Sequence, residues 1–259
     1  MREIIDFHVH PHYDYHEADH GVTIDEGLFR CDLEYCGITK ACGSVIYKAM
    51  TNLPVEKYEM LTPKLNDETF ETARRMQGFY IPGIHIHPIS VEMSCREIDR
   101  NKARGGRLIG ELVPYMMSWG CGYSDKRVVE ILEYARDNDM AVSTHPTNLE
   151  DMEKMIQAVP HLKLVIAHIA YHNIMTEDNC IRIMKKYDNV CFDYSASGAV
   201  REGLARRVID SVGKERLLFG TDYPGITPAA DFAAIRAEGF SDDELEAVFH
   251  GNAERILGI

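Results

Sequence analysis

Short apolar runs recur along this chain and alternate with longer amphipathic stretches. Eight of them, at residues 3–8, 44–49, 80–85, 107–112, 140–144, 163–168, 189–193 and 216–220, are too short for helices and predict β-strands. Between them lie helix-like segments. Residues 67–78 open with Asp67 and Glu68 and end on Gly78, the polarity a helix favours. Residues 126–137 set Val128, Val129, Ile131, Leu132 and Tyr134 among charged neighbours; 177–187, 203–212 and 242–257 read the same way.

Strand–helix alternation of this kind demands a parallel sheet with helical crossovers. Eight units in 259 residues favour closure into a (β/α)8 TIM barrel, an α/β fold, over an open doubly wound sheet. No GxGxxG follows the first strand, so a dinucleotide-binding sheet lacks its main support. Without a Pro/Ser-rich linker or low-complexity tract, one domain spanning residues 1–259 is expected. The long segments 11–43 and 50–66 follow the first two strands. Both fall at the C-terminal end of the barrel, where such folds carry their sites.

Composition narrows the function. A net charge of −13 opposes non-specific binding to nucleic acid or anionic membranes, which leaves a small molecule as the expected partner. No apolar stretch of about 18 residues exists to span a bilayer. The first residues enter a strand with no basic-then-apolar leader, so a cytoplasmic protein is expected. Seven cysteines, an odd count without a CxxC pair, read as reduced thiols; Cys31, Cys36 and Cys42 lack a fourth ligand for a zinc knuckle. Should the chain self-associate, a two-fold homodimer is the commonest form.

The chemistry sits at strand ends. His8 and His10 close strand 1, and alternate residues of a strand share a face, so both imidazoles can grip one ion from one side. His145 ends strand 5, His168 ends strand 6, and Asp222 follows strand 8. In a barrel these ends form one ring. Imidazole nitrogen with carboxylate oxygen suits a divalent metal, zinc first, with a position left for water. A lone histidine is more often a hydrogen-bonded polar residue; the joint pattern carries the metal reading. His12, His16 and His20 default to a solvated loop. His85 and His87 repeat the His-x-His spacing on strand 3, and His87 is the better candidate for a pocket wall.

Ile-Asp6-Phe-His8-Val-His10, Ser-Thr-His145-Pro, Ile-Ala-His168, Gly-Thr-Asp222-Tyr-Pro and the closing Gly251-Asn252-Ala253 resemble the amidohydrolase superfamily. Within it they resemble the amidohydrolase-related family that includes aminocarboxymuconate semialdehyde decarboxylase. The resemblance covers the whole chain and implies a metallo-dependent hydrolase barrel. It implies that His8, His10, His145 and Asp222 hold the metal, with Asp222 doubling as proton acceptor. It makes His168 a general acid/base or a further ligand. Glu111 on strand 4 departs from many relatives, and is similar to the DNase-like branch, where a glutamate at this place helps bind a second metal. Glu111 could thus bridge two ions, with His168 on the second, or could bind substrate or satisfy a strand-end hydrogen bond.

The reading that follows is a metal-dependent hydrolase that opens a lactone, amide or ester of a small carbonyl-containing substrate through metal-activated water. Loops 11–30, 115–125, 170–176 and 195–202 would shape the pocket. Tyr171 and Tyr223 are candidate substrate contacts, and Tyr13, Tyr115 and Trp119 are further available walls. One alternative is non-oxidative decarboxylation of a small carboxylic acid, for which Lys48 and Arg201 are the weak cation candidates. A binuclear phosphodiesterase is a second alternative. A catalytically silent barrel that binds a metabolite or stabilises an assembly is a third, with little support.

Overall fold

Every strand pairs in parallel with the next one in the chain, in the order β1 to β8. The computed structural model describes residues 3–12, 24–196, 198 and 201–259. The strands are β1 Ile5–Val9, β2 Lys40–Gly43, β3 Tyr80–Ile84, β4 Leu108–Leu112, β5 Ala141–Thr144, β6 Lys163–Ile166, β7 Val190–Asp193 and β8 Leu217–Leu218. β8 is only two residues long, and closure continues past its end. Phe7 N–H donates to Phe219 O (2.9 Å), Asp222 N–H to His8 O (2.8 Å) and His10 N–H to Tyr223 O (2.8 Å). The last strand is thereby sewn to the first, and the sheet is a (β/α)8 barrel.

Both faces of such a strand are covered, so it reads as a nearly continuous apolar run rather than an alternation. Ile5, Cys42, Leu108, Ala141, Val165, Cys191 and Leu218 form one cluster with Ala253, Ile256 and Leu257 of the last helix, Asn252–Leu257. Most of these strand residues lie at or near the start of their strands. The last helix therefore packs against the N-terminal end of the barrel, and the C-terminal end is left for chemistry. A larger cluster, including Val9, Ile84, Ile109, Val142, Ile166 and Phe192, joins the strands to the surrounding helices.

The second predicted strand is corrected. Residues 44–49 lie beyond β2, which occupies Lys40–Gly43. An added Cβ at Gly43 would meet Val9 O at 1.8 Å, so β1 and β2 approach each other there only because residue 43 has no side chain. Val45 and Ile46 are buried after the chain has left the ladder, which is why they mimic a strand.

The helix expected at 67–78 is the second half of Tyr58–Arg75. Its buried face carries Thr62, Asn66, Thr69 and Thr72 beside Tyr58 and Leu65, so its helical period is largely invisible to hydrophobicity. Asn66 Nδ2 donates to His85 O (3.0 Å), and His85 N–H donates to Asn66 Oδ1 (2.7 Å). The predicted helix 242–257 is divided by a π turn at Ala247–Gly251. Helices Lys126–Asp137, Glu177–Lys186 and Leu204–Val212 stand where the pattern placed them. Helices Glu26–Tyr35, Val91–Ala103, Leu149–Ala158 and Pro228–Ala237 are additional.

Candidate metal centre

The barrel brings the ends of six strands to one buried cluster. His8 lies in β1 and His10 one residue beyond it; Glu111 lies in β4, His145 follows β5, His168 follows β6, and Asp222 follows β8. Asp193, the last residue of β7, stands behind them. His8, His10, Glu111, His145 and His168 are all buried, while the Asp222 side chain is 26% exposed and marks the open side. His168 and Asp222 both adopt left-handed backbone, φ 56° and 65°, which is uncommon for residues with a side chain and recurs at functional sites.

The ring nitrogens can be assigned from their partners. His10 Nδ1 is 2.9 Å from Ser44 O, a carbonyl that only accepts, so Nδ1 carries the proton. His8 Nδ1 donates in the same way to Asp193 Oδ2 at 2.9 Å. Each ring therefore turns its Nε2 inward, and the two Nε2 atoms are 3.2 Å apart. Glu111 Oε2 lies 3.4 Å from His8 Nε2 and 3.3 Å from His10 Nε2; Asp222 Oδ1 lies 3.5 Å from both. Four nitrogen and oxygen atoms of ligand type thus converge where a positive charge, a proton or a metal ion, is called for. A tetrahedral ion with ligand bonds of about 2.1 Å sets neighbouring donors roughly 3.4 Å apart. The separation of the two histidines, and those of Glu111 and Asp222 from each of them, match that spacing, and the residues fit a divalent metal.

The other oxygen of Glu111 serves a second group. Glu111 Oε1 is 2.9 Å from His145 Nδ1 and 3.3 Å from His168 Nε2. Glu111, His145 and His168 offer donor atoms within 4.8 Å of one another, as do His8, His10 and Glu111. One carboxylate therefore stands between two histidine pairs.

The electrostatics of the cluster agree. Burial opposes a charge on His8, but the Asp193 and Glu111 carboxylates reverse this and hold its pKa well above the usual histidine value. Burial likewise disfavours the Glu111 carboxylate; the His8 and His145 charges overcome that and hold its pKa well below the usual range. For His168 burial acts downward, and the contact with Glu111 outweighs it to raise the pKa. Protons are drawn to the positions where the donor set calls for a cation.

Other sequence candidates divide. Tyr171 packs its ring 5.0 Å from His145 and 5.6 Å from His168, on the wall of the site. Tyr115 stands 5.3 Å from His145. His87 is a correction: it is buried, Nε2 donates to Met117 O (2.7 Å), Nδ1 accepts from Ile89 N–H (3.1 Å), and Tyr58 stacks on the ring. Both nitrogens are spent on backbone, so the ring offers nothing to a pocket. Tyr223 is a second correction, because its hydroxyl bonds Asp32 and its ring packs on Phe29. His85 bonds Val45 O (2.9 Å) and is likewise structural. His12 pairs with Glu26, and Trp119 is buried. Lys48 sits in an exposed 3-10 turn, and Arg201 edges a cleft with Tyr194 and Glu238. All seven cysteines are free. Tyr13, His16 and His20 lie outside the described residues.

Two residues of the cluster escaped the sequence reading, Asp193 and Ser195. Asp193 carried the same signal as His145, a polar residue closing an apolar strand. Ser195 had none.

The amidohydrolase family model matches residues 39–259. No curated protein matches the chain. Among solved structures it is similar to the 5-carboxyvanillate decarboxylase of Sphingomonas paucimobilis, at 16% identity and a TM-score of 0.74, with 100% of each chain covered. It is similar to the 2,6-dihydroxybenzoate decarboxylase of Rhizobium, at 12% identity and a TM-score of 0.72, covering 100% of this chain and 99% of that one. A third is the 5-carboxyvanillate decarboxylase of Novosphingobium aromaticivorans, complexed with manganese and 4-hydroxy-3-methoxy-5-nitrobenzoic acid. It has 15% identity and a TM-score of 0.75, covering 100% of this chain and 96% of that one. At such identities the likeness establishes the fold. No helix among the described residues is long and apolar enough to cross a membrane.

Proposed function

This chain belongs to the amidohydrolase family, and on that premise we propose that it is a divalent-metal enzyme that removes carbon dioxide from a small carboxylic acid without oxidation. The observation that carries the metal-dependent reading is the convergence of His8, His10, Glu111 and Asp222 on a gap of ligand spacing. The choice of reaction is supported by proteins of the same fold, matched over nearly their whole length, that are named as decarboxylases. Hydrolysis, the first expectation from the sequence, has no such support.

His8, His10, Glu111 and Asp222 would hold the ion, zinc or manganese by donor type. When bound, it supplies positive charge that anchors a carboxylate and polarises an adjacent oxygen. The protein's own groups do the rest. Loss of carbon dioxide breaks a carbon–carbon bond and leaves its electron pair on the substrate carbon, which must take up a proton. His168, buried beside Glu111 and 4.7 Å from the His8 ring, would deliver that proton from Nε2. Asp222, on the open side, would position the incoming acid or return a proton from solvent. Tyr171 would wall the substrate against His145 and His168.

Hydrolysis is the second reading, and Glu111 favours it. A carboxylate set between two histidine pairs suits two ions, with Asp222 as base toward water. The test is direct. Purified protein loaded with zinc or manganese is offered a panel of hydroxylated aromatic and unsaturated carboxylic acids, and released carbon dioxide is measured. A matched panel of lactones, amides and phosphate esters runs beside it. Turnover confined to the second panel, with two metals per chain, would overturn decarboxylation.

A further inference from the structure

Asp193 ends β7 with both oxygens engaged. Oδ2 accepts from His8 Nδ1 at 2.9 Å. Oδ1 accepts from the backbone N–H of His168 (3.0 Å) and of Ser195 (3.1 Å), and it also contacts Ser195 Oγ. Oδ1 thus already takes two backbone N–H groups and Oδ2 a third N–H, the bonding of an ionised carboxylate that only accepts. The proton between Asp193 and Ser195 therefore belongs to the hydroxyl. Ser195 Oγ also lies 2.8 Å from His168 Nδ1 and 3.2 Å from His8 Nδ1. With its single proton committed to Asp193, the hydroxyl can only accept from His168, so Nδ1 of His168 must carry hydrogen. Both Asp193 and Ser195 are fully buried, so water cannot substitute.

We infer that Ser195, itself held by Asp193, is a positioning residue that fixes the His168 ring with Nδ1 protonated and Nε2 turned to Glu111. One aspartate thus orients two imidazoles, His8 directly and His168 through one hydroxyl. A partner on the far ring nitrogen is a general means of setting which nitrogen faces the chemistry. The ring orientation stands on the contacts alone; its effect on turnover rests on the role proposed for His168.

The experiment is nitrogen-15 NMR of the histidine rings in the full-length protein, metal-free and zinc-loaded, with turnover measured alongside. Wild type is expected to show a slowly exchanging Nδ1–H for His168. Ser195→Ala should lose that signal while the His8 Nδ1–H persists. Ser195→Thr, which keeps the hydroxyl, should restore it. Turnover should fall roughly 10–100-fold in the alanine variant, chiefly in kcat, and return with threonine. If Ser195→Ala does not fold, Ser195→Cys replaces the hydroxyl by a poor acceptor of similar size and is read the same way. An unprotonated Nδ1 in wild type, or a His168 spectrum unchanged by loss of the hydroxyl, overturns the inference. A changed spectrum with unchanged turnover would sustain it and count instead against His168 as the proton donor.

Discussion

His8 and His10 bring their Nε2 atoms to 3.2 Å of each other while each ring has its Nδ1 proton committed elsewhere. Two imidazole nitrogens at that distance, beside two carboxylate oxygens, make a place for a cation. The protein should therefore bind at least one divalent ion per chain. At a free concentration a hundredfold above Kd, the ion should stabilise the fold by about 2.7 kcal/mol. Elemental analysis and thermal scans with and without chelator check this. A melting temperature indifferent to zinc and manganese would contradict it. Glu111→Gln, which keeps shape and removes charge, should weaken binding by at least about tenfold, or ~1.4 kcal/mol.

Asp222→Asn should silence the enzyme without unfolding it. Its backbone sits at φ 65°, a region asparagine tolerates, and the N–H bond to His8 O at 2.8 Å does not involve the side chain. Turnover is expected to fall by roughly a hundred- to ten-thousandfold, with the melting curve of the metal-free protein nearly unchanged.

His87 and His145 should separate stability from activity. His87→Ala removes the ring stacked 4.7 Å over Tyr58 and strands Ile89 N–H and Met117 O. A cost of about 2–4 kcal/mol in denaturant unfolding is expected, with normal turnover per folded molecule. His145→Ala should do the reverse. Equal losses of activity would place His87 in the site after all.

Acid should destabilise the metal-free fold through His85 and His87. Burial lowers both pKa values to about 4 in the folded state. The unfolded chain, with histidines near 6.5, binds those protons first. Their contribution to stability is full above pH ~6.5, is lost as pH falls, and levels off below the folded value of about 4. Up to ~3 kcal/mol per ring is at stake. Denaturant melts at intervals from pH 4 to 7 read the slope, and replacing His87 should reduce it.

Asp231 should behave in the opposite sense. It is fully buried, neither carboxyl oxygen has a hydrogen-bond partner among the described residues, and burial with the nearby Asp6, Asp222 and Asp193 charges raises its pKa to about 8. Between the unfolded value of about 3.9 and the folded one, the native state keeps a proton that the unfolded chain releases. Its contribution thus declines as pH rises through that window. Asp231→Asn should gain stability relative to wild type as pH goes from 4 to 8, by a few kcal/mol in all. A difference independent of pH would refute a neutral Asp231.

Much of the barrel was legible because buried strands announce themselves as apolar runs and helices by their period. The failures have the same root. At 44–49, burial outside the ladder imitated a strand, while the true strand, Lys40–Gly43, is neither strongly apolar nor β-branched. Helix Tyr58–Arg75 buries threonines and an asparagine, so only its second half carried a visible pattern.

The chain alone determined which side chains end the strands, and hence that His8, His10, Glu111, His145, His168 and Asp222 belong to one rim. It could not rank the histidines. His87 has the same spacing to His85 as His10 has to His8, and only the packed structure shows that both its nitrogens are consumed by Met117 and Ile89. Nor could it find the Asp193–Ser195 link or the division of Glu111 between two histidine pairs. Ligand type and strand position are local properties that a sequence carries. The partner of each ring nitrogen is set by residues far along the chain, as with the 185 positions between His8 and Asp193, and becomes definite only when the barrel closes.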